Sequence, residues 1–335
     1  LNNINGVFTA KVYYSNSKLN IPLISPMIKA LKFIRANNKG IKMIKDELGG
    51  FDLLHVHVLT RLGLIALWYK WFRKKPYVIS EHWSRYLPLT GDFKGPLKKW
   101  LTKLVVRNAS VVTTVTENLA NAMKSHDLKN ENYRVLANVV TDDFFNHTKT
   151  KGRDGAKTIF LHVSCFEDKS KNISGMLRVI KSLSLQRDDF HFVMVGDGMD
   201  FKKMKAYTRK LGISRKVLTF TGLLEGEELV KQMSSADVLV IFSNYENFPV
   251  VINEGFSLGI PVLSTRVGGI PEYVKKYNGR LIDPGDEAGL EHEMKNYLDG
   301  KLKFNPQSIR TEARSLFTAR AIGKELCEIY HNLVK

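Results

Sequence analysis

The chain has 335 residues, 44% hydrophobic and 25% charged, enough for two domains with a core each; with no internal repeat or low-complexity tract, a solenoid or a long disordered arm is excluded. Its 51 Lys and Arg against 33 Asp and Glu give a net charge of +18, which favours an anionic partner (nucleic acid, a membrane surface or a phosphorylated substrate) or simply a well-solvated basic surface. Two distant cysteines, Cys165 and Cys327, offer neither a metal-ligand spacing nor a disulfide framework, so a reducing, cytoplasmic compartment is expected.

The chain opens on Leu1-Asn-Asn-Ile, which does not read as a signal peptide and has no initiating Met, so a fragment is expected. Short apolar runs rich in β-branched residues predict strands at Leu53–Val58, Tyr77–Ser80, Val111–Val115 and Arg134–Ala137. The longest nearly apolar run, Leu62 to Phe72, contains Lys70 and is too short to span a bilayer. From Phe93 to Arg107, Leu97, Trp100, Leu101, Leu104 and Val105 fall at helical spacing among five Lys and Arg, a basic amphipathic helix suited to an anionic leaflet or to packing as an ordinary surface helix. The polar stretch Asn146–Ala156 lacks periodicity and reads as a domain boundary.

A second strand series follows at Thr158–Ser164, Phe190–Val195, Val217–Phe220, Val238–Phe242, Pro261–Ser264 and Gly279–Ile282. Helical patterns separate the strands, at Ser174–Leu185, Phe201–Leu211 and Pro249–Leu258. A last helix is predicted from Ser315 to Val334 with Thr318 as N-cap. Alternating strands and helices with continuous apolar strands imply two α/β units with parallel sheets, whose ligands sit beyond the carboxyl ends of the strands.

The stretch richest in chemistry is Glu246-Asn-Phe-Pro-Val-Val-Ile-Asn-Glu254. It sets a loop carboxylate at a strand tip and a second carboxylate in the helix that begins near Pro249. The free N–H groups of that helix start suit an anion. By spacing alone, Glu246 and Glu254 read more readily as two solvated glutamates, one of them helping a helix N-terminus. Their setting is more specific: Ala236-Asp-Val-Leu-Val240 precedes them, and Gly259-Ile-Pro-Val-Leu-Ser-Thr265 and Gly268-Gly-Ile-Pro-Glu272 follow. The whole string resembles the retaining glycosyltransferases of family GT4, the glycosyl transferases group 1. The resemblance extends to Phe192–Gly198, Val217–Gly222 and Gly279–Asp286 and covers nearly the whole chain.

That resemblance implies a GT-B fold. Two Rossmann-like domains would face one another, an acceptor-side domain over 1–148, incomplete at its start, and a nucleotide-sugar domain over 149–315. The terminal helix, 316–335, would cross back to the first. Gly6–Tyr14 would be a later strand of the first domain. The resemblance also implies roles. Glu254 would hold the ribose and Glu246 the donor sugar, while Asn247, Phe248, Pro249 and Val250 would meet sugar and diphosphate at the helix start. Gly196 and Gly198 would allow close backbone approach, and Thr221 and Gly222 would lie near the base. Lys171 would grip the diphosphate; Cys165 stands where the family often has an arginine, with Lys169 or Arg266 as substitutes. His82, at a strand tip in Tyr77–Trp83, would face donor and acceptor. Glu81, His57 and Arg61 would lie on the acceptor side, and His55 would face the core. Asn138–Phe144 resembles the family's Asn-Gly-Val-Asp turn, with Val139 in place of the glycine.

The expected activity is transfer of a sugar from a UDP- or GDP-sugar to a glycan or lipid-linked acceptor in cell-surface polysaccharide synthesis. Attachment would be to the inner face of the plasma membrane through residues 93–107. A nucleotide-sugar epimerase or a phosphorylase of the same fold is the alternative. No Asp-x-Asp or other metal motif is present, so no metal or cofactor is expected, and no nucleic-acid motif accompanies the charge.

Overall fold

The computed structural model describes residues 2–4, 6–15, 24–59, 61–88, 90–147 and 157–334. The chain begins with a small antiparallel hairpin, β1 (Asn2–Ile4) and β2 (Val7–Thr9), followed by the long helix α1 (Ile24–Leu48). The first α/β unit then runs β3 (Leu54–His57), α2 (Leu62–Arg73), β4 (Tyr77–Glu81), α3 (Pro96–Asn108), β5 (Val111–Thr114), α4 (Glu117–Ser125), β6 (Tyr133–Val135) and α5 (Asp142–Asn146). Its four strands form a parallel sheet in the order β3-β4-β5-β6.

The second unit comprises β7 (Thr158–Val163), α6 (Asp168–Lys171), α7 (Ile173–Ser184), β8 (Phe190–Val195), α8 (Phe201–Lys210), β9 (Leu218–Gly222) and α9 (Gly226–Ser234). It continues with β10 (Val238–Ile241), α10 (Val250–Ser257), β11 (Val262–Thr265), α11 (Ile270–Tyr273), β12 (Gly279–Ile282), α12 (Glu287–Leu298), α13 (Pro306–Phe317) and α14 (Ala319–Val334). Its six parallel strands are ordered β12-β11-β10-β7-β8-β9. The chain moves outward from β7 through β8 to β9, then restarts beside β7 at β10. The strand order therefore reverses between β7 and β10, and the loops leaving those two strands diverge to open a crevice.

Both faces of the second sheet are covered, and side chains alternate between them. Phe160, Phe190 and Phe192 face one core with Ile173, Met176 and Ile180 of α7. Leu161, Val193 and Ile241 face another with Ile252 and Phe256 of α10. Each such side chain contributes about 1.5–3 kcal/mol on burial. The first sheet packs through Val56, Tyr77, Ile79 and Val112 against α2, α3 and α4. Gly63 of α2 is required there, because a Cβ would lie 2.5 Å from Val105 Cγ1 of α3.

All ten strands expected in the two series form, within a residue or two of their predicted ends. Three expectations need correction. Gly6–Tyr14 is not one strand: only Val7–Thr9 is extended, turned back on β1 at Gly6 with φ 82°. Residues 315–317 close α13 rather than opening the last helix; Thr318 does cap α14, its hydroxyl accepting from Ala321 N at 3.3 Å. The first domain was expected to run to residue 148, yet Val140, Phe144 and Phe145 already belong to the second core, and Val140 N donates to Phe317 O at 2.9 Å. Two bulky aromatics carry this stretch across, ahead of the polar segment, of which residues 148–156 lie outside the described residues. No helix among the described residues is long and apolar enough to cross a membrane.

Candidate active site

Lys171 and Glu246 meet at the reversal of strand order. Lys171 ends α6 in the loop leaving β7, and Glu246 sits in the loop leaving β10. Lys171 Nζ donates to Glu246 Oε1 at 2.5 Å, with side-chain exposures of only 20% and 10%. Ser243 Oγ donates to the same oxygen at 2.8 Å. Oε2 has no hydrogen-bond partner among the described residues, which leaves it free for a ligand hydroxyl. The lysine loop is rigidly built. Asp168 Oδ1 accepts from Ser174 N at 2.7 Å, Asp168 N donates to Asp200 Oδ2 at 2.9 Å, and Asn172 adopts a left-handed conformation at φ 49°. Asn244 then ties the two loops together, its N–H donating to Ser170 O at 2.8 Å and its side chain to Lys169 O at 3.0 Å.

Glycines set how closely these loops approach. Gly196, at φ 130°, sits where a Cβ would fall 1.9 Å from Ser164 O; at Gly198 a Cβ would lie 2.6 Å from Phe166 N. Gly196 and Gly198 thus press the turn after β8 onto the backbone of the lysine loop. Gly268, at φ 55°, would place a Cβ 2.0 Å from Glu246 O, so the turn after β11 braces the glutamate loop from the other side. Thr221 and Gly222 end β9, with Thr221 Oγ1 donating to Gly222 O and Gly196 N donating to the same carbonyl, each at 2.8 Å.

Pro249 is the N-cap of α10 and no side chain caps that helix; Ile252 N donates to Pro249 O at 3.0 Å, which leaves the amides of Val250 and Val251 to face an anion. Val250 is partly exposed there, whereas Phe248 is buried against Tyr273 at 4.4 Å. Glu254 lies one turn on. Burial pushes its carboxyl up to about 7, and it has no hydrogen-bond or ionic partner among the described residues. Arg266 pairs with Asp283 at 3.6 Å and Cys165 is exposed, so Lys171 is the cation that meets Glu246.

From the first domain, His82 follows β4 and faces Glu246 across a cleft of about 620 Å³ that both residues line together with Arg85, Lys98, Asn138 and Asn247. Burial lowers the His82 pKa, against the opposing effect of a hydrogen bond with Asn138. His82 stacks on His57 at 5.8 Å, and His57 packs on His55 at 4.3 Å. Burial and mutual repulsion hold His55 down to about 4, and burial, with His82 beside it, lowers His57 as well. His55 faces the terminal helix: its Nδ1 bonds Tyr330 OH at 2.5 Å and its Nε2 bonds Ser80 Oγ at 2.8 Å.

Glu81 lies beneath the cleft, not in it. Its buried carboxylate accepts from His82 N and Trp83 N at 3.0 Å and from Leu59 N at 3.2 Å, so it shapes the loops around His57 and His82. Arg61 is exposed at the start of α2, 5.9 Å from the Phe33 ring. Asn247 bridges the domains through its side chain, donating to His82 O at 2.9 Å and accepting from Thr116 Oγ1 at 3.3 Å. Sequence reasoning missed Arg85 and Lys98 at this cleft and the buried Ser243 behind Glu246. Asn138 carried a signal, since it opens the segment read as a turn of the family. A lone arginine and a lysine in a basic helix carried none. Among the described residues, no group of three or more His, Cys, Asp or Glu is placed to hold a metal ion.

The chain is similar to known proteins in sequence and in fold. The family described as glycosyl transferases group 1 matches residues 143–315, and the one described as glycosyltransferase family 4 matches residues 11–144. The chain is 25% identical over 283 residues to an uncharacterised glycosyltransferase of Methanocaldococcus jannaschii, covering 84% of this chain and 75% of that one. It is 28% identical over 186 residues to the lipopolysaccharide 1,6-galactosyltransferase of Escherichia coli, covering 52% and 51%. Among solved structures, the lipopolysaccharide outer core galactosyltransferase WaaB superposes with a TM-score of 0.69 at 18% identity, over 94% of this chain and 82% of that one. Anabaena HepE, solved in complex with UDP, gives 0.73 at 19% identity over 90% and 84%. With two parallel sheets in the GT-B arrangement and a family match over more than half its length, the chain belongs to the glycosyl transferases group 1 family and is a glycosyltransferase.

Proposed function

We propose that this glycosyltransferase moves a sugar from a UDP- or GDP-sugar to a hydroxyl of a glycan or lipid-linked acceptor, with retention at the anomeric carbon, in cell-surface polysaccharide assembly. The observation that carries the reading is the Lys171–Glu246 pair at the strand-order reversal, opposite His82 across the cleft. In the reaction the acceptor oxygen bonds to the anomeric carbon as the bond from that carbon to the diphosphate breaks. The diphosphate leaves with the bonding electrons and takes the hydroxyl proton on the same face. Negative charge grows on it, and Lys171 together with the open amides of α10 stabilises that charge. Glu246 positions the sugar through its free oxygen. Glu254 holds the ribose, Gly196 and Gly198 keep the backbone close, and Thr221 and Gly222 lie by the base. HepE was solved with UDP and with UDP-glucose, which supports a uridine donor here.

A screen of UDP-, GDP- and ADP-sugars by thermal shift, followed by product analysis, tests the proposal. One donor should stabilise the protein, and its sugar should appear on an added acceptor with the anomeric configuration kept. A changed sugar with no acceptor consumed would make the enzyme an epimerase, and a need for inorganic phosphate would make it a phosphorylase.

The proposal extends to a membrane surface. On α3, Val105 is buried in the core, but Leu97 and Trp100 are 67% and 60% exposed, so packing consumes only part of the apolar stripe of residues 93–107. On α2, Leu64, Trp68, Trp71 and Phe72 are exposed as well. Aromatic and aliphatic side chains ringed by Lys and Arg fit the headgroup region of an anionic leaflet. Flotation with phosphatidylglycerol vesicles should carry the protein up, and the double substitution Trp68→Ser with Trp100→Ser should leave it at the bottom. Equal flotation of that variant would remove this face from the reading.

A further inference from the structure

A second groove, of about 720 Å³, adjoins the donor cleft and shares with it Trp83, Arg85 and Lys98. Its lining is mostly apolar: Val58, Leu62 and Leu64 on one side, Leu97 and Leu101 of α3 on the other, Phe33 of α1 at the edge. Three cations stand along it, Arg61, Arg85 and Lys98, and no Asp or Glu is among the residues that line it. An apolar trough edged by three cations, with no carboxylate in its own lining, is a poor place for a neutral sugar chain. It matches a molecule that is apolar and carries concentrated negative charge.

The groove is preformed. Val58, a β-branched residue, is held at φ 64°, a conformation that persists only where its surroundings impose it. Here they do: Val58 N donates to Ser80 O at 3.0 Å and the next amide, Leu59 N, donates to the buried Glu81 carboxylate at 3.2 Å. Arg85 is stacked on Trp83, its guanidinium carbon 3.4 Å from the ring centre, which fixes a flexible side chain where cleft and groove meet. The groove also has a direction. One end is the His57–His82 stack, beside Glu246. Leu64 and Leu97, in its lining, are each followed about one helical turn along by exposed Trp68 and Trp100. The lining thus continues into the exposed apolar tracks of α2 and α3.

We propose that this groove receives the acceptor, and that the acceptor is a phosphorylated lipid: its hydroxyl-bearing end reaches His82, its phosphate meets Arg61, Arg85 and Lys98, and its hydrocarbon chain leaves over Leu64 and Leu97. The inference rests on the transferase reading, because it places the lipid end-on to the donor sugar. Group transfer follows the balance already given, with the acceptor's hydroxyl proton leaving on the diphosphate.

The test uses farnesyl phosphate below its micelle concentration, with farnesol and inorganic phosphate as the two halves of the probe and UDP as the donor-side control, all by calorimetry on the full chain. Farnesyl phosphate should bind saturably, and each half at least ten times more weakly. Arg61→Ser and Leu97→Glu, both on exposed side chains, should each weaken farnesyl phosphate at least tenfold and leave UDP affinity unchanged; retained UDP binding shows that the variants fold. Farnesol binding as tightly as farnesyl phosphate, or binding that neither substitution alters, overturns the proposal. So does binding of phosphatidylglycerol vesicles without binding of monomeric farnesyl phosphate, since that is bilayer docking alone. UDP binding without farnesyl phosphate binding sinks the groove and spares the transferase reading; the opposite result sinks the donor assignment and spares the groove.

Discussion

At the scale of single residues, Glu246 and Glu254 sit eight positions apart and hold opposite electrostatic positions. Glu246 is paired with Lys171 at 2.5 Å and accepts a further bond from Ser243 Oγ at 2.8 Å. Burial pushes the Glu254 carboxyl up to about 7, with no partner for it among the described residues. For Glu246, the glutamine substitution keeps the shape and removes the charge. Turnover is expected to fall by ~10²–10³, the loss seen when a positioned transition-state contact is removed, with nucleotide affinity within about threefold of the parent. Steady-state kinetics beside calorimetry checks this, and unchanged turnover would take Glu246 out of the chemistry. For Glu254, the sign runs from its raised pKa. In the protein alone the folded state holds this proton more tightly than the unfolded chain, so its contribution to stability is full below 4.5 and is lost as pH rises toward 7. Ribose hydroxyls donate best to the ionised carboxylate. Donor binding should therefore expel the proton, and affinity for a nucleotide sugar should weaken as pH falls below about 7. At pH 6 the group is about nine-tenths protonated, so calorimetry in two buffers of different ionisation enthalpy should find close to one proton released per donor bound. Glu254→Gln should abolish both the release and the pH dependence.

At the scale of elements, the site is made by loops that only glycine lets meet. Gly268 is the sharpest case, since it combines φ 55° with a Cβ position 2.0 Å from Glu246 O. Gly285 is the natural control, with φ 79° and nothing within 4 Å of its Cβ position. Gly285→Ala should cost about 1 kcal/mol, from the left-handed backbone alone, with donor affinity intact. Gly268→Ala should cost on the order of 2–3 kcal/mol and also weaken donor binding, because the Glu246 loop must move. Chemical denaturation and calorimetry on both variants separate backbone strain from displacement of the loop. The elements themselves were largely legible in the sequence, and the reason is physical. A strand such as Val238–Ile241 is buried on both faces, so its apolar run needs no knowledge of its neighbours. What was not legible depends on packing between distant segments. Leu97 and Trp100 have the spacing of a packed stripe, yet α3 buries Thr102, Val105 and Val106 and leaves them exposed. Glu81 stands at a strand tip beside His82, where a carboxylate reads as part of a site. Its amide partners Leu59 and Trp83 become visible only when two loops fold over it. Arg85 and Lys98 reach the cleft from a turn and a helix whose sequences say nothing of where they point.

At the scale of the whole molecule, the two domains are joined across the cleft by polar contacts that the strand-order reversal brings together. The N-terminus of α4, in the first domain, shows how. Thr116 Oγ1 accepts from Leu119 N at 3.1 Å, the ordinary N-cap bond. The two amides before it are capped from the other domain: Glu272 Oε2 accepts from Glu117 N at 2.8 Å and Oε1 from Asn118 N at 2.7 Å. Tyr273 OH adds a bond to Val115 O at 3.3 Å, and Gly269 lets the two backbones approach, since a Cβ there would lie 2.2 Å from Thr116 Cγ2. A carboxylate on a helix N-terminus is worth about 0.3–1 kcal/mol when exposed and up to ~2 kcal/mol when partly buried. These N–H groups are exposed, so water can replace the carboxylate once it is removed. The contact therefore adds little to the stability of either domain but biases how they sit relative to one another. Glu272→Ala should leave the melting temperature within a degree or two and shift the domains toward separation. In the variant, X-ray scattering without nucleotide should give a larger radius of gyration, and saturating donor should restore the parent value. Kinetically, the donor KM should rise by roughly three- to tenfold, the cost of about 1 kcal/mol for closing the cleft at each binding event, with kcat little changed. A variant with unchanged scattering and an unchanged KM would mean that the other contacts between the domains, among them those of Asn247, Tyr273 and the terminal helix, suffice to hold them, and that Glu272 does no more than cap α4.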